Sequence, residues 1–163
     1  MKDFEYCAPS SLREAVALKA EKGPDARILA GGTDLIVQLR GKRFAPDHVI
    51  DIKNVPEANE LSFGPRRGLV IGSGVACWRI YNDAEIVARY PGLVDSASII
   101  GGIQIQGRAT FGGNLCNASP SADTIPSLIT HSATCNIAGP DGKRSLPVED
   151  FCTAPGQNGL APG

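Results

Sequence analysis

The chain has 163 residues, a net charge of −1, and 42% hydrophobic against 20% charged residues. That balance excludes a disordered polypeptide and offers no basic field to nucleic acid or an anionic membrane surface. No apolar run approaches the ~20 residues a membrane-crossing helix needs, and Met1-Lys2-Asp3-Phe4-Glu5 lacks the basic-then-apolar pattern of a signal peptide, so a cytoplasmic location is expected.

In chain order, residues 4–8 predict a short strand. Ser11-Leu12-Arg13-Glu14 reads as a capping box, in which the Ser11 hydroxyl takes the Glu14 N–H and the Glu14 carboxylate returns to the Ser11 N–H. The helix it opens runs through Ala20 and stops at Gly23-Pro24. Residues 26–30 predict a second strand that runs into Gly31-Gly32-Thr33-Asp34. Thr33 or Asp34 is the expected cap of a helix carrying Leu35, Ile36 and Leu39 on one side and ending near Gly41. Residues 49–52 predict a third strand. Strand, helix, strand, helix, strand with a glycine loop after the middle strand predicts a small parallel sheet with covering helices.

A lobe boundary is expected near residues 54–60, giving units 1–56 and 57–163. Residues 61–63 and 69–73 predict strands around the turn at 64–68. Residues 78–89 carry a mixed helical pattern ended by Pro91, and residues 93–100 predict a helix broken at Gly101-Gly102. Then comes Thr110-Phe111-Gly112-Gly113-Asn114-Leu115-Cys116-Asn117-Ala118-Ser119-Pro120-Ser121-Ala122-Asp123. Its paired glycines and Asx residues predict a loop rather than a helix, with free N–H groups suited to a phosphate. A helix over 124–131 and a hairpin over 133–148 follow. The tail, 154–163, shows no periodic pattern and suggests a truncated chain or a fragment.

Two glycine loops in different halves suggest one ligand held in the crevice between them. The first is neither G-x-G-x-x-G nor a P-loop, because it lacks the acidic partner of the one and the Lys of the other. No nucleophile–base spacing is evident. His48, Asp123 and Arg108 read first as a surface or capping residue, a helix cap and a solvated cation. The closest two of the five cysteines stand 17 positions apart, which argues against a locally built zinc or iron–sulfur site and gives the expectation of no metal. Cys116, inside the second loop, reads as packed rather than reactive.

The segments Ala30-Gly31-Gly32-Thr33-Asp34-Leu35 and Thr110 to Asp123, in their order and separation, resemble the FAD-binding medium subunit of the xanthine dehydrogenase and carbon monoxide dehydrogenase group of molybdenum hydroxylases. The resemblance covers essentially the whole chain. It implies an α+β, two-lobed FAD fold of the vanillyl-alcohol-oxidase (PCMH) type: a small N-terminal βαβαβ lobe, a larger mixed lobe, and no C-terminal subdomain of the family. It implies that Leu29, Ala30, Gly31, Gly32, Thr33, Asp34, Leu35 and Ile36 wrap the FAD diphosphate with Thr110, Gly112, Gly113, Asn114 and Asn117. It further implies that Ile99 and Ile100 pack by the flavin or nucleotide, that Asp123 makes a polar contact and that Leu160 lies near the isoalloxazine. Phe111 replaces a smaller aliphatic residue of the family and is expected to be tolerated if it faces the core.

The partners implied by the resemblance are a molybdopterin-containing large subunit and a [2Fe–2S] small subunit, with NAD or another acceptor taking the electrons. A catalytic acid or base is not expected on this chain, because the flavin does the redox chemistry. The alternatives are a stand-alone flavoprotein oxidoreductase and a truncated, non-catalytic remnant.

Overall fold

Three parallel strands frame the N-terminal part of the computed structural model, which describes residues 1–161. Pro162 and Gly163, the end of the tail, lie outside the described residues. Strand β1 (Glu5–Cys7), helix α1 (Leu12–Lys22), strand β2 (Ala26–Leu29), helix α2 (Leu35–Arg40) and strand β3 (His48–Asp51) follow one another as predicted. The strand order is β1-β3-β2, and Glu5, His48 and Ala26 stand side by side at the start of the three strands. Central β3 buries successive residues, Val49 and Ile50, because both faces of a parallel sheet are covered. Val49 packs with Leu29 and Leu39, while Ala15 of α1 packs with Ile52 and Val55. Each such buried Val, Leu or Ile side chain contributes ~1.5–3 kcal/mol.

The helix ends differ from the sequence reading in detail. Ser11 Oγ accepts from the Glu14 N–H at 3.2 Å, but the Glu14 carboxylate returns to the N–H of Ser10 at 2.8 Å rather than to that of Ser11. Ser10 also offers its hydroxyl to the same oxygen, which favours that position. Gly23 ends α1 with φ +55, a value glycine adopts freely. Asp34 precedes α2 without a side-chain capping bond, since its own backbone is already in the helical region.

A connection of two single 3₁₀ turns, Ile52–Asn54 and Glu57–Asn59, leads to the hairpin β4 (Leu61–Gly64) and β5 (Gly68–Ile71). The helical run expected over 78–89 is two helices, α3 (Cys77–Tyr81) and α4 (Ala84–Arg89). Asp83 divides them, because its carboxylate caps α4 by accepting from the N–H groups of Glu85 at 3.0 Å and Ile86 at 3.1 Å. Pro91 then opens α5 (Pro91–Ser98) at a first-turn position, where its missing N–H costs nothing. One turn of helix, α6 (Ile103–Gln106), lies where no element was predicted.

The glycine-rich stretch is the largest departure: residues 111–117 form helix α7 (Phe111–Asn117) instead of a loop. Tertiary burial overrides propensity here. Phe111 enters a core with Val75, Ile80, Leu93 and Ile100, and Leu115 enters a second core with Val148 and Phe151. Helix α8 (Ile125–Thr130), hairpin β6 (Thr134–Gly139) and β7 (Gly142–Pro147), helix α9 (Val148–Phe151), and a short bulged hairpin of β8 (Cys152–Ala154) and β9 (Gln157–Asn158) complete the fold. The last hairpin lies in a tail whose sequence shows no period. Its strands are too short to display one.

Asp51 closes β3 and is buried at 4% exposure. Burial alone raises a carboxyl pKa, but hydrogen bonds from the Lys53 ammonium, the Tyr6 hydroxyl at 2.5 Å and the Lys53 N–H at 2.9 Å outweigh it and hold Asp51 below the usual 3.8. The same hydrogen bond raises the Tyr6 phenol. A depressed carboxyl stabilises the fold above its unfolded pKa, and the contribution is lost as pH falls through the lower folded value. Asp51→Asn is therefore expected to lower unfolding free energy by about 1–3 kcal/mol in urea titrations at pH 7, with the difference from wild type shrinking as the pH falls from the unfolded-state value of 3.8 through the lower folded-state pKa.

Candidate functional site

The first glycine loop leaves the end of β2 at buried Leu29 and turns over Gly32, whose φ is +83. Gly31 lies so close to the segment entering α7 that a Cβ would stand 2.1 Å from the Arg108 carbonyl oxygen and 3.1 Å from Ala109 Cα. Arg108 also reaches back, its Nε donating to the Gly31 carbonyl at 3.3 Å. The residue read as a solvated cation is exposed, yet it clasps the other loop.

The 108–110 segment is held from its other side as well. Ala109 O accepts from the Cys77 N–H at 2.8 Å, and Thr110 forms an isolated antiparallel bridge with Ala76. Thr110 is the N-cap of α7, and its hydroxyl accepts from the Gly113 N–H at 2.9 Å. Gly112 packs on the Ser73 backbone, where a Cβ would come within 2.6 Å of Ser73 Cα. Three backbone stretches, at 31, 108–110 and 73–77, thus lie against one another. A second tie runs between helices, with Gln38 Nε2 of α2 donating to Asn117 Oδ1 of α7 at 3.1 Å.

These contacts leave donors free. Among the described residues, the N–H groups of Gly31, Gly32, Thr33 and Asp34 donate to no backbone carbonyl. Asn114 Oδ1 accepts from the Thr124 hydroxyl at 2.6 Å and the Thr124 N–H at 3.3 Å, so its NH₂ remains as donor. Asn117 is oriented in the same sense by Gln38. A set of unpaired backbone and amide donors around closely approaching glycines fits a diphosphate, which takes several donors at once.

The other expected site residues fall in varied places. Ala30, Leu35 and Ile36 are half-buried beside the loop, the two aliphatic residues packing against Leu29 and Leu39. Ile99 is 63% exposed, whereas Ile100 is buried in the core with Phe111. Phe111 itself faces that core. Asp123 is exposed and does not cap α8, because Thr124 occupies the cap position. Leu160 is 43% exposed and follows β9, where Asn158 Nδ2 donates to the Cys116 carbonyl at 2.7 Å, placing the tail beside the end of α7. Cys116 is exposed rather than packed as the sequence predicts, although desolvation by the surrounding chain, then the neighbouring Cys135 and Cys152, still push its thiol up to about 11, which disfavours the reactive thiolate. Gln38 and the Tyr6–Asp51–Lys53 group were missed by the sequence reading. Asp51 ends a parallel strand, the position where open sheets of this kind present functional groups, and that was the available signal.

Residues 2–163 match the family described as the FAD binding domain in molybdopterin dehydrogenase, and the chain belongs to that family. It is 35% identical over 161 residues, 98% of its length, to the xanthine dehydrogenase FAD-binding subunit of Escherichia coli O157:H7, covering 55% of that protein. It is 34% identical over 148 residues to the carbon monoxide dehydrogenase medium chain of Hydrogenophaga pseudoflava, covering 91% of this chain and 51% of that one. Among solved structures, a chain of the reconstituted CO dehydrogenase from Oligotropha carboxidovorans superposes with a TM-score of 0.94 at 27% identity, over 98% of this chain and 56% of that one. A chain of quinoline 2-oxidoreductase from Pseudomonas putida 86 gives 0.93 at 32% identity, over 99% and 57%. The chain spans about half the length of the curated relatives it matches. It is an α+β FAD-binding domain, with FAD as its cofactor. Among the described residues, no helix is long and apolar enough to cross a membrane.

Gly31→Ala and Gly112→Ala drive a methyl group into backbone. Each is expected to cost about 1–3 kcal/mol or more in urea unfolding. Gly139→Ala, where a Cβ would meet nothing within 4 Å, is expected to stay within about 0.5 kcal/mol of wild type.

Proposed function

We propose that this chain is the FAD-binding part of the medium subunit of a molybdenum hydroxylase complex, an oxidoreductase that works with a molybdopterin-containing large subunit and a [2Fe–2S] small subunit. Its two lobes are residues 1–56 and 57–163, arranged as in the two-lobed PCMH-type flavoproteins, with the FAD diphosphate between them. The observation that carries this reading is the apposition of the two glycine segments, with Gly31 lying on the Arg108 carbonyl. Bound FAD would supply the redox step, taking electrons relayed from the iron–sulfur partner and giving them to NAD or another acceptor.

The protein's own residues bind and orient. The N–H groups of Gly31 to Asp34 and the Thr33 hydroxyl would hold the diphosphate. The NH₂ groups of Asn114 and Asn117, whose carbonyl oxygens are taken by Thr124 and Gln38, would donate to it as well. Thr110 holds the first turn of α7 in place through Gly113, so the donors need no reorganisation when the ligand arrives. Ile99, exposed after α5, offers an apolar surface to a ring, and Leu160 does so from the tail. The substrate of the complex is chosen on a different subunit.

Flavin fluorescence on the 163-residue chain tests the reading. FAD is expected to be bound and quenched, with ADP as a competitor. Riboflavin, which lacks the diphosphate, is expected to bind at least about 100-fold more weakly, the equivalent of two charge-assisted hydrogen bonds of about 1.5–3 kcal/mol each. Equal affinity for the two flavins, or binding of neither, contradicts it.

A further inference from the structure

Strand pairing assembles a mixed ligand set that linear spacing conceals. Glu5 and Cys7 are two apart on β1 and project to one face. His48 opens β3 directly opposite Glu5. One ligand atom from each of Glu5, Cys7 and His48 lies within 4.8 Å of the other two. His48 Nδ1 is 3.2 Å from Glu5 Oε2, and Cys7 Sγ is 3.9 Å from Glu5 Oε1. Metal–ligand lengths of about 2.0–2.3 Å put the ligands of a tetrahedral zinc about 3.3–3.8 Å from one another. The trio is thus close to coordination spacing already.

A second observation points the same way. His48 Nδ1 is enclosed and has no hydrogen-bond partner among the described residues, since its approach to Glu5 lacks hydrogen-bond geometry. An enclosed imidazole nitrogen that stands 3.2 Å from a carboxylate oxygen without a hydrogen bond to it is costly in an ordinary core, and a metal ion held between the two would employ both. Glu5 is exposed and Cys7 half-buried, so the site is reachable from solvent. The facing cation is Lys22 at the end of α1, which pairs with Glu21 at 3.0 Å, while Lys2 pairs with Asp47 beside His48.

We infer that Glu5, Cys7 and His48 form a binding site for a borderline-soft divalent cation of the zinc type, with three protein ligands and a solvent molecule in the fourth position. The thiolate and imidazole select zinc or cobalt over magnesium or calcium, which prefer oxygen ligands throughout. Binding replaces the proton of the Cys7 thiol, which passes to solvent. The site lies on β1 and the β1 side of β3, whereas the first glycine loop leaves the end of β2 on the other side of β3. It is therefore separate from the flavin reading and is tested without flavin.

The test is an anaerobic titration of the 163-residue chain with cobalt(II) alone. One equivalent is expected to produce a thiolate-to-cobalt charge-transfer band with tetrahedral ligand-field intensity, and zinc is expected to bleach it. Cys7→Ser is expected to abolish the band, and His48→Gln to weaken binding by more than about tenfold. Cys135→Ser is expected to leave the band unchanged. Should Cys7→Ser fail to fold, alkylation of the wild-type chain decides: zinc is expected to protect Cys7 from iodoacetamide, read by peptide mass. Absence of the band, its survival in folded Cys7→Ser, its loss in Cys135→Ser, or alkylation of Cys7 at the same rate with and without zinc overturns the inference.

Discussion

Everything at the candidate site depends on the missing side chain of Gly31. The Arg108 carbonyl occupies the space a Cβ would need, at 2.1 Å, so the loop after β2 and the segment before α7 can touch only if residue 31 is glycine. From that contact the rest follows in order. Arg108 binds back to the Gly31 carbonyl, Cys77 and Ala76 hold the far edge of the same segment, and Thr110 starts α7 with its orientation fixed. Glycine is used here for close approach. At Gly32 it serves the other purpose, a positive φ that turns the chain and leaves N–H groups unpaired.

The second glycine pair has a different job from the one its composition suggests. Gly112 packs on Ser73, and Gly113 gives its N–H to Thr110, so both are spent on building the helix and seating it. The polar groups that remain available are the amides of Asn114 and Asn117, one turn further along. Their orientation comes from Thr124, 10 positions from Asn114, and from Gln38, 79 positions from Asn117. The proposed diphosphate would meet side-chain amides from one segment and backbone N–H groups from the other.

The alternation of strands and helices in the first 56 residues was legible because its signals are local: a capping serine, a Gly-Pro stop and apolar runs of strand length. Helix α7 was not, because its seven residues have poor intrinsic propensity and gain their stability from Phe111 and Leu115 entering two separate cores. The break at Asp83 was likewise hidden, since one capping carboxylate outweighs a continuous apolar pattern. The two glycine-rich segments announced themselves by composition and by resemblance, but Gln38, Thr124 and the Asp51 group gave no comparable sign. The same limit applies to Glu5, Cys7 and His48. Spacing along the chain speaks only to locally built metal sites, and parallel pairing unites residues 41 positions apart.

The central claim is that glycine segments from both halves of the chain serve one diphosphate. Amide chemical-shift mapping of the labelled chain during FAD addition tests it most directly. The account predicts that the backbone amides of Gly31, Gly32 and Thr33 and the side-chain amides of Asn114 and Asn117 shift together, with a single common binding curve. Shifts confined to one of the two segments, or centred on another face of the protein, would contradict it.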